Sequence, residues 1–327
     1  MTKPRIFVTR AIHDAGLQII NRNFSAEIWP EYAPPPRDVL IDRVKKVDGL
    51  ITLLSDKIDA EIMAQAPDLK IIAQLAVGFD NINVREATKR GICVTNTPEV
   101  LTDASADFAF AMLMAVARRV VEADRYVRNG NWKVAWHPSM MLGHDIFGAT
   151  LGIIGAGRIG QAMARRGRGF NMPILYSSST PKPEFEQECG ATRVDLETLL
   201  KKSDFVSLHV PLTDSTRLLI DKERLQLMKP TAYLINNARG PVVDEQALYE
   251  AIKTKKLAGA ALDVFCIEPT TADNPLLELD NVVVAPHISS ASYATREKMS
   301  VMVAENLSAF FAGKEPPDLL NPEAFKH

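Results

Sequence analysis

Three short stretches bring together an arginine, a glutamate and a histidine: Asn236-Asn237-Ala238-Arg239-Gly240, Asp263-Val264-Phe265-Cys266-Ile267-Glu268-Pro269, and Pro286-His287. Each follows an apolar run, so each sits where a strand ends and a loop begins. Arg239 offers a planar fork of N–H donors that can grip a carboxylate through paired hydrogen bonds. His287 is of the residue type that gives or takes protons near neutral pH. Glu268 precedes Pro269, which favours extended backbone there, and a carboxylate beside an imidazole stabilises the imidazolium. Reduction of a 2-keto acid by hydride needs such a set. A cation holds the carboxylate and polarises the carbonyl, an acid protonates the developing alkoxide, and a carboxylate keeps that acid charged. Taken alone, His287 reads as a satisfied core histidine and Arg239 as half of a surface ion pair. Their order and company turn the reading toward chemistry, with Arg239, Glu268 and His287 as the catalytic candidates.

A hydride donor has a place upstream. Gly155-Ala156-Gly157-Arg158-Ile159-Gly160 is a G-x-G-x-x-G, a weak signal alone but a specific one here, between an apolar strand at 151–154 and a helical pattern over 158–169. The first glycine permits the tight turn, the second lets backbone approach a pyrophosphate, and the third lets helix and strand pack closely. The helix start, at Arg158 and Ile159, then presents unpaired N–H groups to phosphate. A site for NAD places an acid at the end of the next strand, on the ribose 2′-hydroxyl. Here that strand ends Tyr176-Ser177-Ser178-Ser179-Thr180-Pro181-Lys182, with no carboxylate before Glu184. The hydroxyls of Ser178, Ser179 and Thr180, with Lys182, suit a 2′-phosphate, although arginine is the usual partner and this stretch has none. The expected cofactor is NADP(H), with NAD(H) as the alternative. His209, in Leu208-His209-Val210-Pro211, stands at another strand end without an acidic neighbour and is read as lining the cofactor.

The elements that must hold these residues alternate in β-rich and helical patterns through most of the chain, the mark of an α/β protein with parallel sheets. Strands are expected near 6–9, 26–29, 49–53, 71–75 and 92–94, then near 150–154, 174–176, 205–208, 232–235, 259–262 and 282–285. A long helix is expected over 102–127, ended by Asn129-Gly130-Asn131. Residues 132–145 show no period and read either as an excursion that packs on something, such as another subunit, or as an ordered surface loop. A last helix near 292–312 follows His287. The pattern is one α/β domain interrupted by another: 1–98 and 289–327 as the substrate-binding domain, 99–288 as the NAD(P)-binding Rossmann domain.

Composition narrows the classes. The 327 residues are 46% apolar and 24% charged with a formal charge of −2, which fits a globular chain and gives neither a nucleic-acid footprint nor a basic membrane patch. The apolar run at 108–117 is too short for a bilayer. Cys93, Cys189 and Cys266 lack metal-ligand or disulfide spacing, so no metal is expected and the thiols read as reduced and cytoplasmic.

With those residues in view, the chain resembles the D-2-hydroxyacid dehydrogenase family over nearly its whole length, and most of all its glyoxylate/hydroxypyruvate reductase branch. Carrying the resemblance are Leu75-Ala76-Val77-Gly78-Phe79-Asp80-Asn81, the 155–160 loop, His209-Val210-Pro211-Leu212-Thr213, 236–240, 263–269, Pro286 to Ala291, and Trp136-His137-Pro138 with the residues to Gly143. The resemblance implies two Rossmann-like parallel-sheet domains, a flavodoxin-like substrate domain and an inserted dinucleotide-binding domain, with a cleft between them. It also implies that backbone N–H groups of Val77 and Gly78 hold the substrate carboxylate near Ser290. Asp263 and the backbone of Asn237 and Ala238 would orient the nicotinamide carboxamide. The implied partners are a small 2-keto acid and a second copy of the chain, joined through the Rossmann domain with 132–145 as an arm. Val77 is not lysine, against a phosphite-oxidising branch, and Glu268 is not glutamine, against a formate-oxidising one. The rival readings are a broader D-lactate-type dehydrogenase and a non-catalytic NAD(P)-sensing module like a corepressor. The complete Arg–Glu–His set favours an enzyme.

Overall fold

A computed structural model describes residues 2–325, so the last two residues of the 289–327 segment, His327 among them, lie outside the described residues. The chain divides into two compact units, residues 1–101 with 291–327, and residues 102–290.

In the first unit β1 (Arg5–Val8), β2 (Ser25–Ile28), β3 (Gly49–Thr52), β4 (Ile71–Gln74) and β5 (Cys93–Thr95) form a parallel sheet in the order β2-β1-β3-β4-β5. That is the flavodoxin-like order. Every residue of β3, β4 and β5 is buried, as expected for strands covered on both faces by crossover helices. One face packs Phe7, Leu50, Ile72 and Val94 against Leu40, Ile62 and Met63. The helix Tyr293–Phe311 packs on the helix Asp14–Asn23 and returns the chain to this unit. Their approach is close: a Cβ on Gly16 would lie 2.1 Å from Ser300 Oγ, which itself donates to the His13 carbonyl at 2.8 Å.

The second unit holds β6 (Leu151–Ile154), β7 (Ile174–Ser177), β8 (Thr192–Arg193), β9 (Phe205–Leu208), β10 (Tyr233–Asn236), β11 (Gly259–Leu262) and β12 (Val282–Val284). They form a seven-stranded parallel sheet in the order β12-β11-β10-β9-β6-β7-β8. The order reverses at β6, where doubly wound sheets bind dinucleotides. β8, two residues paired to the edge of β7, was too short to leave a periodic signal and was not anticipated.

The expected single helix over 102–127 is two, Thr102–Ala117 and Val120–Arg128. Arg119 between them is left-handed, with φ of 54°. The Ala117 carbonyl accepts from the His144 N–H at 2.9 Å, so a returning segment takes the place of the helix's own next donor. Gly143 makes that return fit, since a Cβ there would lie 2.4 Å from the same carbonyl.

Candidate active site

Because all strands of the second sheet run parallel, their C-terminal ends share one edge. Along it stand His287 after β12, Asp263 to Glu268 after β11, Asn237 to Arg239 after β10, His209 to Pro211 after β9, Gly155 to Gly160 after β6, and Ser178 to Thr180 after β7. Ser290 lies three residues after His287, in the loop before the helix Tyr293–Phe311. Every candidate of the second unit therefore lies on the edge where ligands of such sheets bind.

The glycine loop has the geometry of a phosphate cradle. Gly155 has a φ of 95°, and a Cβ on it would lie 2.6 Å from the His209 carbonyl, so only glycine fits. A Cβ on Gly160 would lie 2.2 Å from the Gly155 carbonyl, which brings helix and strand together. Gly157 differs: nothing lies within 4 Å of its missing Cβ, and no side chain caps the helix Arg158–Gly169 that starts beside it. Open space faces uncapped N–H groups at a helix start, and the residues present fit a dinucleotide pyrophosphate. His209 Nε2 lies 2.9 Å from Ser207 Oγ, and burial pushes its pKa down to about 3. It is a neutral ring at working pH, suited to a wall rather than to donating a proton.

At the other end of the edge His287 Nδ1 lies 2.7 Å from Glu268 Oε2, while Glu268 Oε1 accepts from the Phe265 N–H at 3.0 Å. Desolvation pushes the Glu268 carboxyl upward. The hydrogen bond and charge of His287, the Phe265 N–H and the charge of Arg239 outweigh it, and the net pKa is lowered. Glu268 is thus an anion paired with the imidazole, within the field of Arg239, and the pairing leaves His287 Nε2 for proton transfer. The Glu268–Pro269 peptide is cis.

His287 itself has a φ of 55°, a conformation costing roughly 1–2 kcal/mol for a residue with a Cβ. Asp263 holds it there. The His287 N–H donates to the Asp263 carbonyl at 2.8 Å, and the N–H groups of Ile288 and Ser289 donate to Asp263 Oδ1 at 2.8 Å and Oδ2 at 2.9 Å. Asp263 is 1% exposed, and desolvation raises its pKa despite those bonds. Each carboxylate oxygen thus takes one N–H of the histidine loop, a role that no spacing in the sequence announced.

The turn of Arg239 is set by Asn236, which the sequence did not single out. Buried Asn236 donates through Nδ2 to the Arg239 carbonyl at 3.0 Å and accepts the Ala238 N–H at 3.1 Å, closing the turn after β10. The doubled asparagine was the available signal, since asparagine side chains stabilise such turns. Asn237 Nδ2 donates to the Ser105 carbonyl at 3.2 Å and anchors the turn to the helix Thr102–Ala117. A Cβ on Gly240 would lie 1.9 Å from the Phe265 carbonyl carbon, so the Arg239 and Glu268 segments meet backbone to backbone.

Val77 and Gly78 lie in the first unit, in the loop after β4. The Ala76 carbonyl accepts from the Thr97 N–H at 2.9 Å, and the Val77 carbonyl accepts from Asn96 Nδ2 at 2.8 Å. In a trans peptide the N–H points opposite its carbonyl, so the Val77 and Gly78 N–H groups turn away from 96–97. Gln74 Nε2 braces the loop from within, donating to the Gly78 carbonyl at 3.2 Å and to Asn81 Oδ1 at 2.7 Å. Among the described residues no cluster of His, Cys, Asp and Glu is placed to hold a metal ion, and no helix is long and apolar enough to cross a membrane.

A doubly wound sheet with an open phosphate cradle and an acid–base pair on one edge defines a dinucleotide-binding oxidoreductase. The model for the D-isomer specific 2-hydroxyacid dehydrogenase NAD binding domain matches residues 110–289. The chain is 60% identical to a glyoxylate reductase of Korarchaeum cryptofilum, over 99% of this chain and 98% of that one. Among solved structures it is similar to the TT0316 protein of Thermus thermophilus (TM-score 0.91, 46% identity, 97% and 99% of the two chains). It is also similar to an NADPH-dependent glyoxylate/hydroxypyruvate reductase of Sinorhizobium meliloti in complex with NADP and malonate (TM-score 0.86, 34% identity, 100% and 99%). The chain belongs to the D-isomer specific 2-hydroxyacid dehydrogenase family.

Proposed function

We propose that the protein is an NADPH-preferring reductase of glyoxylate and hydroxypyruvate, giving glycolate and D-glycerate, with Arg239, Glu268 and His287 as its catalytic residues. The observation that carries this is the 2.7 Å contact between His287 and Glu268 on the same sheet edge as the open cradle at Gly157. The names of the Korarchaeum and Sinorhizobium proteins support the substrate class. A reduced nicotinamide bound along the edge supplies the hydride. Arg239 holds the substrate carboxylate and draws charge onto the carbonyl oxygen. His287 gives its Nε2 proton to the alkoxide that forms, and Glu268 keeps the imidazolium charged until then. Val77 and Gly78 contribute N–H groups to the carboxylate, and Ser290 stands near it. Asn237 and Ala238, with Asp263, orient the carboxamide, while Val210 and Pro211 flank the cofactor beside His209. Steady-state rates with glyoxylate, hydroxypyruvate and pyruvate in parallel test the assignment. The first two are expected to give the higher kcat/KM, and a pyruvate rate above both would instead make it a D-lactate-type dehydrogenase. Absence of turnover with all three while NADP+ still binds would leave a sensing module.

The Glu268–His287 pairing has a pH signature. Against desolvation, the hydrogen bond and charge of His287 lower the pKa of Glu268, which keeps an anion beside the imidazole. Reduction needs a proton on His287, and that anion helps to hold it. Glu268→Gln removes the anion, so the loss of reduction at alkaline pH is expected to set in at lower pH than in the wild type. A kcat/KM profile against pH with an unmoved alkaline limb would refute the pairing.

The active form is proposed to be a homodimer joined through the second unit. The helix Val120–Arg128 buries none of its residues, and Trp132, Val134, Trp136 (75% exposed), Leu142 and Phe147 beyond it are exposed too. Such an apolar face marks an interaction site. Sedimentation equilibrium is expected to give twice the chain mass, and Trp132→Ser with Trp136→Ser to shift it toward the monomer; a monomeric wild type would end this proposal.

A further inference from the structure

We infer that Arg193 reads the 2′-phosphate of NADP(H) in this protein and sets its cofactor preference. The inference rests on the reading above that NADPH is the hydride donor. Arg193 lies in β8, fifteen residues beyond Ser178 and outside the turn that directly follows β7. Strand pairing brings it back. β8 pairs in parallel with β7, and Arg193 stands opposite Tyr176. From there Nη2 donates to the Ser178 carbonyl at 3.1 Å and to the Ser179 carbonyl at 3.4 Å. The guanidinium is thus pinned to the turn after β7, where the ribose of a dinucleotide bound at Gly157 is recognised.

Its partners decide what it can do. Carbonyls are neutral, so they orient the guanidinium without cancelling its charge. Arg165 shows the contrast: its Nε lies 2.6 Å from Glu188, and its charge is already answered. Among the described residues no carboxylate pairs with Arg193, and neither Nε nor Nη1 makes a hydrogen bond. Those donors remain for phosphate oxygens, in the forked geometry that guanidinium and phosphate share. Glu186, on the helix Pro183–Cys189 that follows the turn, is turned onto Tyr176, whose hydroxyl donates to it at 2.5 Å. The turn carries the Ser178, Ser179 and Thr180 hydroxyls and Lys182 but no acid, so nothing there repels a second phosphate. The sequence alone left the phosphate without an arginine; the short edge strand supplies one.

A loop brace with no ligand role would place the arginine in the same way, so the test must separate the two. Titration calorimetry on the full chain measures binding of NADP+, NAD+ and adenosine 2′,5′-bisphosphate to the wild type, Arg193→Ala and Arg193→Lys, with thermal melts confirming folding. The wild type is expected to bind NADP+ more tightly than NAD+. Arg193→Ala is expected to weaken NADP+ and the bisphosphate by roughly 10- to 100-fold, the scale of a lost charged hydrogen-bond pair, and to leave NAD+ within about twofold. Arg193→Lys, which keeps the charge and loses the fork, should fall between. Equal loss of NADP+ and NAD+ binding would make Arg193 a brace only. An NADP+ preference that survives Arg193→Ala would sink the inference and spare the reading beneath it. A wild type favouring NAD+ would sink both.

Discussion

His287→Ala is expected to lower kcat for keto-acid reduction by about two to four orders of magnitude, the scale of a lost general acid. Without His287 the developing alkoxide must take its proton from water. Binding of the dinucleotide should change little, since the cradle at Gly155 to Gly160 lies across β11, β10 and β9 from β12. The left-handed backbone of His287 complicates the alanine variant, because alanine gains nothing from that conformation and the loop to Ser289 could relax. His287→Asn controls for this: asparagine tolerates left-handed backbone and has no group that donates a proton near neutral pH. Both variants should therefore lose kcat alike while binding NADP+ as the wild type does. A kcat within about threefold of wild type in His287→Asn, with the fold intact, would remove His287 from the mechanism, since a general acid contributes far more.

The strain at His287 explains why Asp263 is buried beside it. A carboxylate that has lost its water is costly unless hydrogen-bonded, and here it accepts two successive backbone N–H groups while its own carbonyl takes a third. That grip fixes the direction of the imidazole before Glu268 reaches it. The same asymmetry recurs at Arg239, where buried Asn236 closes the turn from behind. Arg239 and His287 are thus each held from the backbone by a buried polar residue at the end of the same strand or the next.

The sheets were legible because fully buried parallel strands such as β3, β4, β6 and β9 are short, mostly apolar runs, and the turns after most strands carry Gly, Asn or Pro. The two-domain α/β architecture followed from that alternation, and the order of Arg239, Glu268 and His287 pointed to one edge. The rest depended on contacts between distant residues. β8 has two residues and no period of its own, so Arg193 could not be placed beside Ser178 by any local pattern. The break at Arg119 is made by His144 and Gly143, more than twenty residues on, while the sequence through the break, Ala117-Arg118-Arg119-Val120, carries no glycine or proline. The grip of Asp263 on 288–289 spans twenty-five and twenty-six residues.

Arg239→Ala is expected to lower kcat by about two to three orders of magnitude and kcat/KM by more, because KM rises as well. Loss of a donor aimed at developing oxyanion charge costs on the order of 10²–10³ in kcat, and loss of the carboxylate partner weakens binding besides. Arg239→Lys separates the two contributions. Lysine keeps the positive charge, which also acts on Glu268, but replaces the planar fork with a point charge on a flexible stem. If the fork sets the distance between carbonyl carbon and hydride, Arg239→Lys should recover KM more than kcat, since positioning is felt most in the transition state. The backbone on either side constrains the comparison in a useful way. Gly240 lies against Phe265, and Asn236 holds the Arg239 carbonyl, so neither substitution should move the main chain. Full recovery of kcat by lysine would reduce Arg239 to a charge, and an alanine variant with wild-type kcat/KM would place the carboxylate elsewhere.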